Sequence, residues 1–210
     1  MLVEAAIDTL DDAARSVAEG ARRLEVCASL DVGGLTPSLE LLHGCLQLSV
    51  PCVAMVRPRA GSYMLDDGEF ERLCADASEM LSGGAHGVVF GMLRDDRTID
   101  ADDVRTVVRI AENAETIFHR AFDDTPDAFA ALETLIECGV TRVLTSGHSK
   151  TAIEGADEIR RLVTHANGRI EILPGGGVRA PHARELVART GVTQLHARGT
   201  PRVVADLLAV

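Results

Sequence analysis

Lysine is almost missing from this 210-residue chain, in which Lys150 stands alone against twenty arginines. Schiff-base chemistry, which needs an amine nucleophile, is therefore excluded unless Lys150 itself carries it. Tryptophan is absent and aromatics amount to 3%, too few for the stacking platforms that hold single-stranded nucleic acid. Positive charge is also scarce: the net charge of −11 argues against nucleic acid or an anionic membrane as a partner. No apolar run reaches the length of a membrane span, and no basic segment precedes Leu2-Val3-Glu4-Ala5-Ala6-Ile7, so a cytosolic protein without a membrane partner is expected. The five cysteines, Cys27, Cys45, Cys52, Cys74 and Cys138, are odd in number and show neither a CxxC pair nor zinc-like spacing; they read as reduced thiols.

What is present is enough apolar residue, 46% of the chain, for one substantial core, and the length suits one domain over residues 1–210. Strand-like runs are expected at Leu2 to Ile7, Arg23 to Ala28, Cys52 to Val56, Gly87 to Met92, Thr116 to Asp123, Arg142 to Ser146, Arg169 to Leu173 and Thr193 to Ala197. Each is followed by a helical pattern, at roughly 26 residues a unit. Eight such units predict a (β/α)8 TIM barrel, and the lack of a glycine motif after the first strand argues against a dinucleotide-binding sheet. Thr36-Pro37, Thr125-Pro126 and Thr200-Pro201 read as helix starts with threonine as the N-cap and proline in the first turn. The stretch Thr116 to Pro126 is the densest: read with period two, His119 and Asp123 share a face at the end of the fifth strand. A histidine beside a carboxylate is, taken alone, a hydrogen-bonded core residue; other polar strand ends must join it before it reads as a site.

Glu25-Val26-Cys27, Gly33-Gly34-Leu35-Thr36-Pro37-Ser38, Arg57-Pro58-Arg59, Thr116 through Asp123, Arg142 through Gly147, and Pro174-Gly175-Gly176-Gly177-Val178-Arg179 together resemble the CutC family of copper homeostasis proteins over nearly the whole chain. The resemblance implies a cytosolic TIM barrel, often a homo-oligomer, linked to copper tolerance and without a settled reaction. The family's copper proposal places cysteines at the first two strand ends. Cys27 matches the second, whereas Glu4-Ala5-Ala6 puts alanine where relatives often carry the other thiol. After Arg59, Ala60 through Leu65 also lack the carboxylate and thiol of the family pattern.

In a barrel these strand ends converge on one mouth. Glu4, Glu25, His119 and Asp123 are the acid–base candidates, and Arg57, Arg59, Thr145, Ser146, Gly175, Gly176, Gly177 and His196 the ligand-binding candidates. Cys27, joined by Met64 or His196, is the metal candidate. The glycine run precedes a helix, where backbone N–H groups favour phosphate, and a guanidinium favours carboxylate or phosphate. The alternative is an ion-pair network that merely fills the barrel, with Arg57 neutralised by Glu4 or Glu25. Three functions stay open: weak Cu(I) binding with no other cofactor required, an enzyme acting on a small anion, and a ligand-binding barrel without catalysis. The expected partner is accordingly a small anionic ligand or a copper ion.

Overall fold

Runs such as Cys52–Met55 and Gly87–Phe90 are buried along their whole length, as strands covered on both faces must be. A computed structural model describes residues 1–209. Its strands are β1 (Leu2–Ile7), β2 (Arg23–Val26), β3 (Cys52–Met55), β4 (Gly87–Phe90), β5 (Glu115–Phe118), β6 (Arg142–Thr145), β7 (Glu171–Pro174) and β8 (Gln194–Arg198). They alternate with α1 (Leu10–Ala18), α2 (Leu39–Leu46), α3 (Asp67–Ser82), α4 (Ala101–Ala111), α5 (Ala128–Cys138), α6 (Ala156–Ala166), α7 (Ala180–Thr190) and α8 (Val203–Leu208).

All ladders are parallel, in the order β7-β6-β5-β4-β3-β2-β1-β8. The last strand thus pairs with the first, and the sheet rolls into a (β/α)8 barrel. β7 and β8 lie side by side without a ladder, and a seam remains there. Side chains alternate: Val3, Ala5, Leu24, Val26 and Val143 pack under the helices, while Cys27, Val53, Met55, Val89, Ile117, Leu144 and Leu173 form a separate inner layer. Strand starts plug the other end of the interior with paired charge. Arg142 lies 3.0 Å from Glu115 and 2.6 Å from Glu171, and Arg23 bridges Glu4 and Gln194.

Helix starts differ in detail from the sequence expectation. Thr9 caps α1 through the Asp12 amide as expected, and Asp66 with Glu69 forms a capping box on α3. The three Thr-Pro pairs do not cap. Proline bars its predecessor from helical dihedrals, so each helix starts beyond it: Ser38 caps α2, Asp127 caps α5, and Arg202 precedes α8. The threonine hydroxyls serve elsewhere, Thr36 on Asp76 and Thr125 on the Phe122 carbonyl. At α8 the cap comes from α1, where the Glu19 carboxylate accepts the Arg202 and Ala205 amides. Among the described residues no helix is long and apolar enough to cross a membrane.

Gly87 starts β4 where a side chain has no room: a Cβ would overlap the Glu115 carbonyl oxygen on the neighbouring strand. Gly87→Ala should therefore cost roughly 1–3 kcal/mol as overpacking. An unchanged urea midpoint would show that the β4–β5 spacing is looser than this.

Candidate functional site

The strand ends enclose a cavity of about 360 Å³, lined by Ala6, Glu25, Met55, Arg57, Tyr63, His119, Arg120, Asp123, Leu144, His196, Arg198 and the segment Gly176 to Arg179, among others. It lies at the C-terminal mouth, where barrel chemistry is expected.

His119 directly follows β5, but the strand does not run on to Asp123. The chain turns into a 3-10 segment over Arg120–Asp124, because the His119 Nδ1 accepts the Ala121 N–H at 3.1 Å. The ring lies over Gly91, where a Cβ would overlap it, and its centroid is 4.9 Å from that of Tyr63. Burial, with the Arg57 charge added, pushes its pKa down to about 3, so the ring is neutral. A neutral imidazole that accepts through Nδ1 carries its hydrogen on Nε2, and that atom is buried without a partner. His119 thus lines the mouth with a hydrogen-bearing Nε2 that has no partner among the described residues.

The turn also parts Asp123 from His119. The Asp123 carboxylate accepts from the Ser146 amide at 3.0 Å, the Ser146 hydroxyl at 2.9 Å, the His148 amide at 3.2 Å, Arg120 at 2.8 Å and the Thr145 hydroxyl. These bonds occupy the carboxylate as a clasp between β5 and β6, so Asp123 is not a free acid or base. Thr145 and Ser146 are fully buried in that clasp and do not reach the cavity.

Arg57 follows β3 and is 7% exposed. Its terminal nitrogens donate to the carbonyls of Val32 at 3.2 Å, Gly34 at 3.3 Å and Gly61 at 2.9 Å. The guanidinium stands 5.0 Å from the Tyr63 ring centroid, a cation–π distance. Nε has no partner. No carboxylate among the described residues pairs with Arg57, so the interior neutralisation by Glu4 or Glu25 does not occur. Arg59 swings outward to Glu69 and the Ser62 and Met64 carbonyls, where it braces the loop before α3; it does not line the mouth.

Glu4 is bound by Arg23 and by His196 Nδ1 at 2.8 Å. Burial would raise its carboxyl, but the His196 hydrogen bond and the Arg23 charge outweigh that and hold it at about 2. Paired in this way, Glu4 reads as a structural carboxylate. Glu25 differs: burial outweighs the nearby His196 charge and raises its pKa, Oε1 accepts from the Cys27 thiol at 3.3 Å, and Oε2 is buried without a hydrogen bond. Of the four acid–base candidates, Glu25 alone keeps a carboxylate oxygen without a hydrogen bond, with His196 Nδ1 3.9 Å from it. Burial lowers the His196 pKa, but Glu25 and Glu4 together more than reverse this and raise it.

Glu4, Glu25 and His196 offer three donor atoms within 4.8 Å of one another, an oxygen and nitrogen set that suits a hard or borderline divalent ion. Such an ion would compete with the raised proton affinity of His196. Copper(I) prefers sulfur, and the fit here is poor. Cys27 is fully buried, and burial together with Glu25 raises its thiol well above the usual range. Ala6 occupies the place of a second thiol in the mouth. Met64 lies in another cleft with Met92, outside reach of the mouth, leaving Met55 as the soft atom packed with Cys27.

The glycine run leaves β7. Gly175 donates to the Thr145 carbonyl at 2.9 Å and faces inward, where a Cβ would stand 2.5 Å from Leu144; it supports the loop without lining the cavity. Gly176 and Gly177 take φ of +94° and +67°, a conformation that favours glycine. The N–H groups of Gly176, Gly177 and Val178 have no acceptor among the described residues. Exposed Arg179 and Arg198 also line the cavity; among the described residues neither pairs with a carboxylate, and Arg179 donates to the Val178 carbonyl at 2.7 Å. Thr151, next to exposed Lys150, packs on Gly177, its Cγ2 3.0 Å from where a Cβ would be. Sequence reading missed Tyr63, Arg120 and Gly91; a lone glycine past a strand is itself a sign of close approach, here of the His119 ring.

The sequence and fold both have known counterparts. The model of the CutC family matches residues 1–200. A CutC family protein of Treponema denticola is 44% identical over 195 residues, 92% of this chain and 79% of that protein. A Homo sapiens protein named copper homeostasis protein cutC homolog is 39% identical over 196 residues, 93% of this chain and 72% of its own. The crystal structure of a CutC protein from Streptococcus agalactiae superposes with a TM-score of 0.89 at 32% identity, over 95% of this chain and all of that one. Motif order, whole-length similarity and barrel architecture agree: the chain belongs to the CutC family.

Proposed function

We propose that the barrel mouth binds a small anion, with a phosphate or similar group seated on Gly176, Gly177 and Val178. The observation that carries this reading is the set of three free backbone N–H groups ahead of α7, with Arg179 and Arg198 alongside. Unpaired amides at a helix start and unpaired guanidinium groups both favour phosphate or carboxylate. In a chain of net charge −11, such a concentration of arginine is local and would steer anions to the mouth. If chemistry follows binding, Glu25 is the candidate to move a proton, since burial raises its pKa above that of an ordinary carboxylate.

A copper reading draws on the name of the human relative. Here it would rest on Cys27, with Met55 as the neighbouring soft atom. A single buried thiol that must first lose its proton supports weak binding at most.

Inorganic phosphate should raise the melting temperature in a concentration-dependent way, since it binds only the folded state. The Arg179→Ala/Arg198→Ala double variant, altered at exposed positions, should keep the parent's own melting temperature and lose most of the phosphate-dependent rise. An equal rise in both proteins would refute the proposed seat.

Competition against a Cu(I) chelator should show affinity too weak to strip the chelator, abolished by Cys27→Ser. Tight binding that survives Cys27→Ser would place copper elsewhere.

A further inference from the structure

We infer that the mouth recognises a two-ended ligand, a small molecule carrying a phosphate at one end and a carboxylate or carbonyl oxygen at the other; the phosphate end rests on the reading above. The glycine run leaves β7 and Arg57 leaves β3, four positions apart in an eight-stranded barrel. They therefore stand on opposite sides of the mouth, and one phosphate-sized group cannot satisfy both. A second polar site faces the first.

That second site is built and incomplete. Arg57 and His119 flank the Tyr63 ring, at 5.0 Å and 4.9 Å from its centroid. Both side chains are more than nine-tenths buried, at 7% and 4% exposure, and both line the cavity. Each carries a buried nitrogen without a partner, Arg57 Nε and His119 Nε2. Both atoms bear hydrogen: Arg57 Nε always does, and His119 Nε2 does because Nδ1 is occupied as the acceptor of the Ala121 amide. A buried donor left unpaired is costly, and here two stand together around a guanidinium with no counter-charge.

The partner that satisfies them is an oxygen with lone pairs and negative or developing negative charge. A cationic or purely apolar group would leave both donors stranded. A neutral imidazole donor beside a guanidinium is suited to a carboxylate, or to a carbonyl that takes up charge as it reacts. Glu25 on β2, whose Oε2 lacks a hydrogen bond, lines the same cavity and is a poor neighbour for a second carboxyl group. This places the acidic end of the ligand on the Arg57 and His119 side and directs neutral hydroxyl or methylene groups towards Glu25.

The test compares inorganic phosphate with 2-phosphoglycolate, 3-phosphoglycerate and 4-phosphoerythronate, a series that lengthens the spacing between the two ends, by calorimetry on the full chain. At least one of the three should bind about tenfold more tightly than phosphate, the gain expected from one charge-assisted hydrogen-bonded group. His119→Phe should remove most of that gain and leave phosphate affinity unchanged, while His119→Gln, whose amide N–H lies close to the Nε2 position, should recover part of it. Arg57→Lys, which keeps the charge and loses Nε–H, serves if His119→Phe does not fold. Nitrogen-15 NMR of the parent should show His119 with hydrogen on Nε2 and none on Nδ1 at neutral pH. If no compound surpasses phosphate, if the gain survives in His119→Phe and Arg57→Lys, or if His119 is an imidazolium or the Nδ1–H tautomer, the inference is overturned while the phosphate seat stands. If phosphate and all three compounds fail to bind, both fall together.

Discussion

Charge inside a ring of parallel strands must find a partner within the ring or from outside it, and this requirement sorts the interior of the protein. The cost of burying an unpaired charge or donor is several times the gain from an ordinary hydrogen bond. Where partners exist the groups are structural: Arg142 between Glu115 and Glu171, Arg23 between Glu4 and Gln194, and Asp123 beneath five donors. Three groups of the mouth lack such partners: Glu25 Oε2, Arg57 Nε and His119 Nε2 are buried without hydrogen bonds among the described residues, although His196 Nδ1 stands 3.9 Å from Glu25 Oε2. The apolar layer of Val53, Val89, Ile117, Leu144 and Leu173 fills the interior beside them, while on β1 Glu4 joins Arg23 to His196 of the mouth.

The architecture was legible because it rests on repetition: eight apolar runs, each followed by a helical pattern, leave few topologies open. Local geometry was less so. Period-two reading puts Arg57 and Arg59 on one face, as it does His119 and Asp123, but parity holds only while the chain stays extended. β3 ends at Met55 and β5 at Phe118. Beyond those points Arg59 turns out to Glu69 and Asp123 turns across to β6. Glu25, Arg57, His119, Gly176, Gly177 and His196 were found from sequence because each lies at, or within a few residues of, a strand end. Glu4, Thr145 and Ser146 were found as polar residues, but their fully occupied partners could not be foreseen without coordinates.

The same contrast bears on the family's link to copper. Soft-metal binding is a property of a donor set, and one alanine at position 6 alters that set without disturbing the barrel. The anion-directed features do not depend on position 6. They are proposed to arise from the loops after β3, β5 and β7 and from the end of β8, which present nitrogen and not sulfur. A barrel can therefore keep its family membership while the chemistry of its mouth is decided by a few loop residues.

Scarcity of lysine has a practical side. Apart from the chain's own amino terminus, Lys150 carries the one primary amine, and it is exposed next to Thr151, which rests on Gly177 of the glycine run. An amine-directed fluorophore would thus attach at essentially one side chain, a residue away from the rim of the cavity, without a cysteine having to be introduced or removed. The molecule comes with its own reporter position, close enough to the mouth for occupancy there to alter the dye's surroundings.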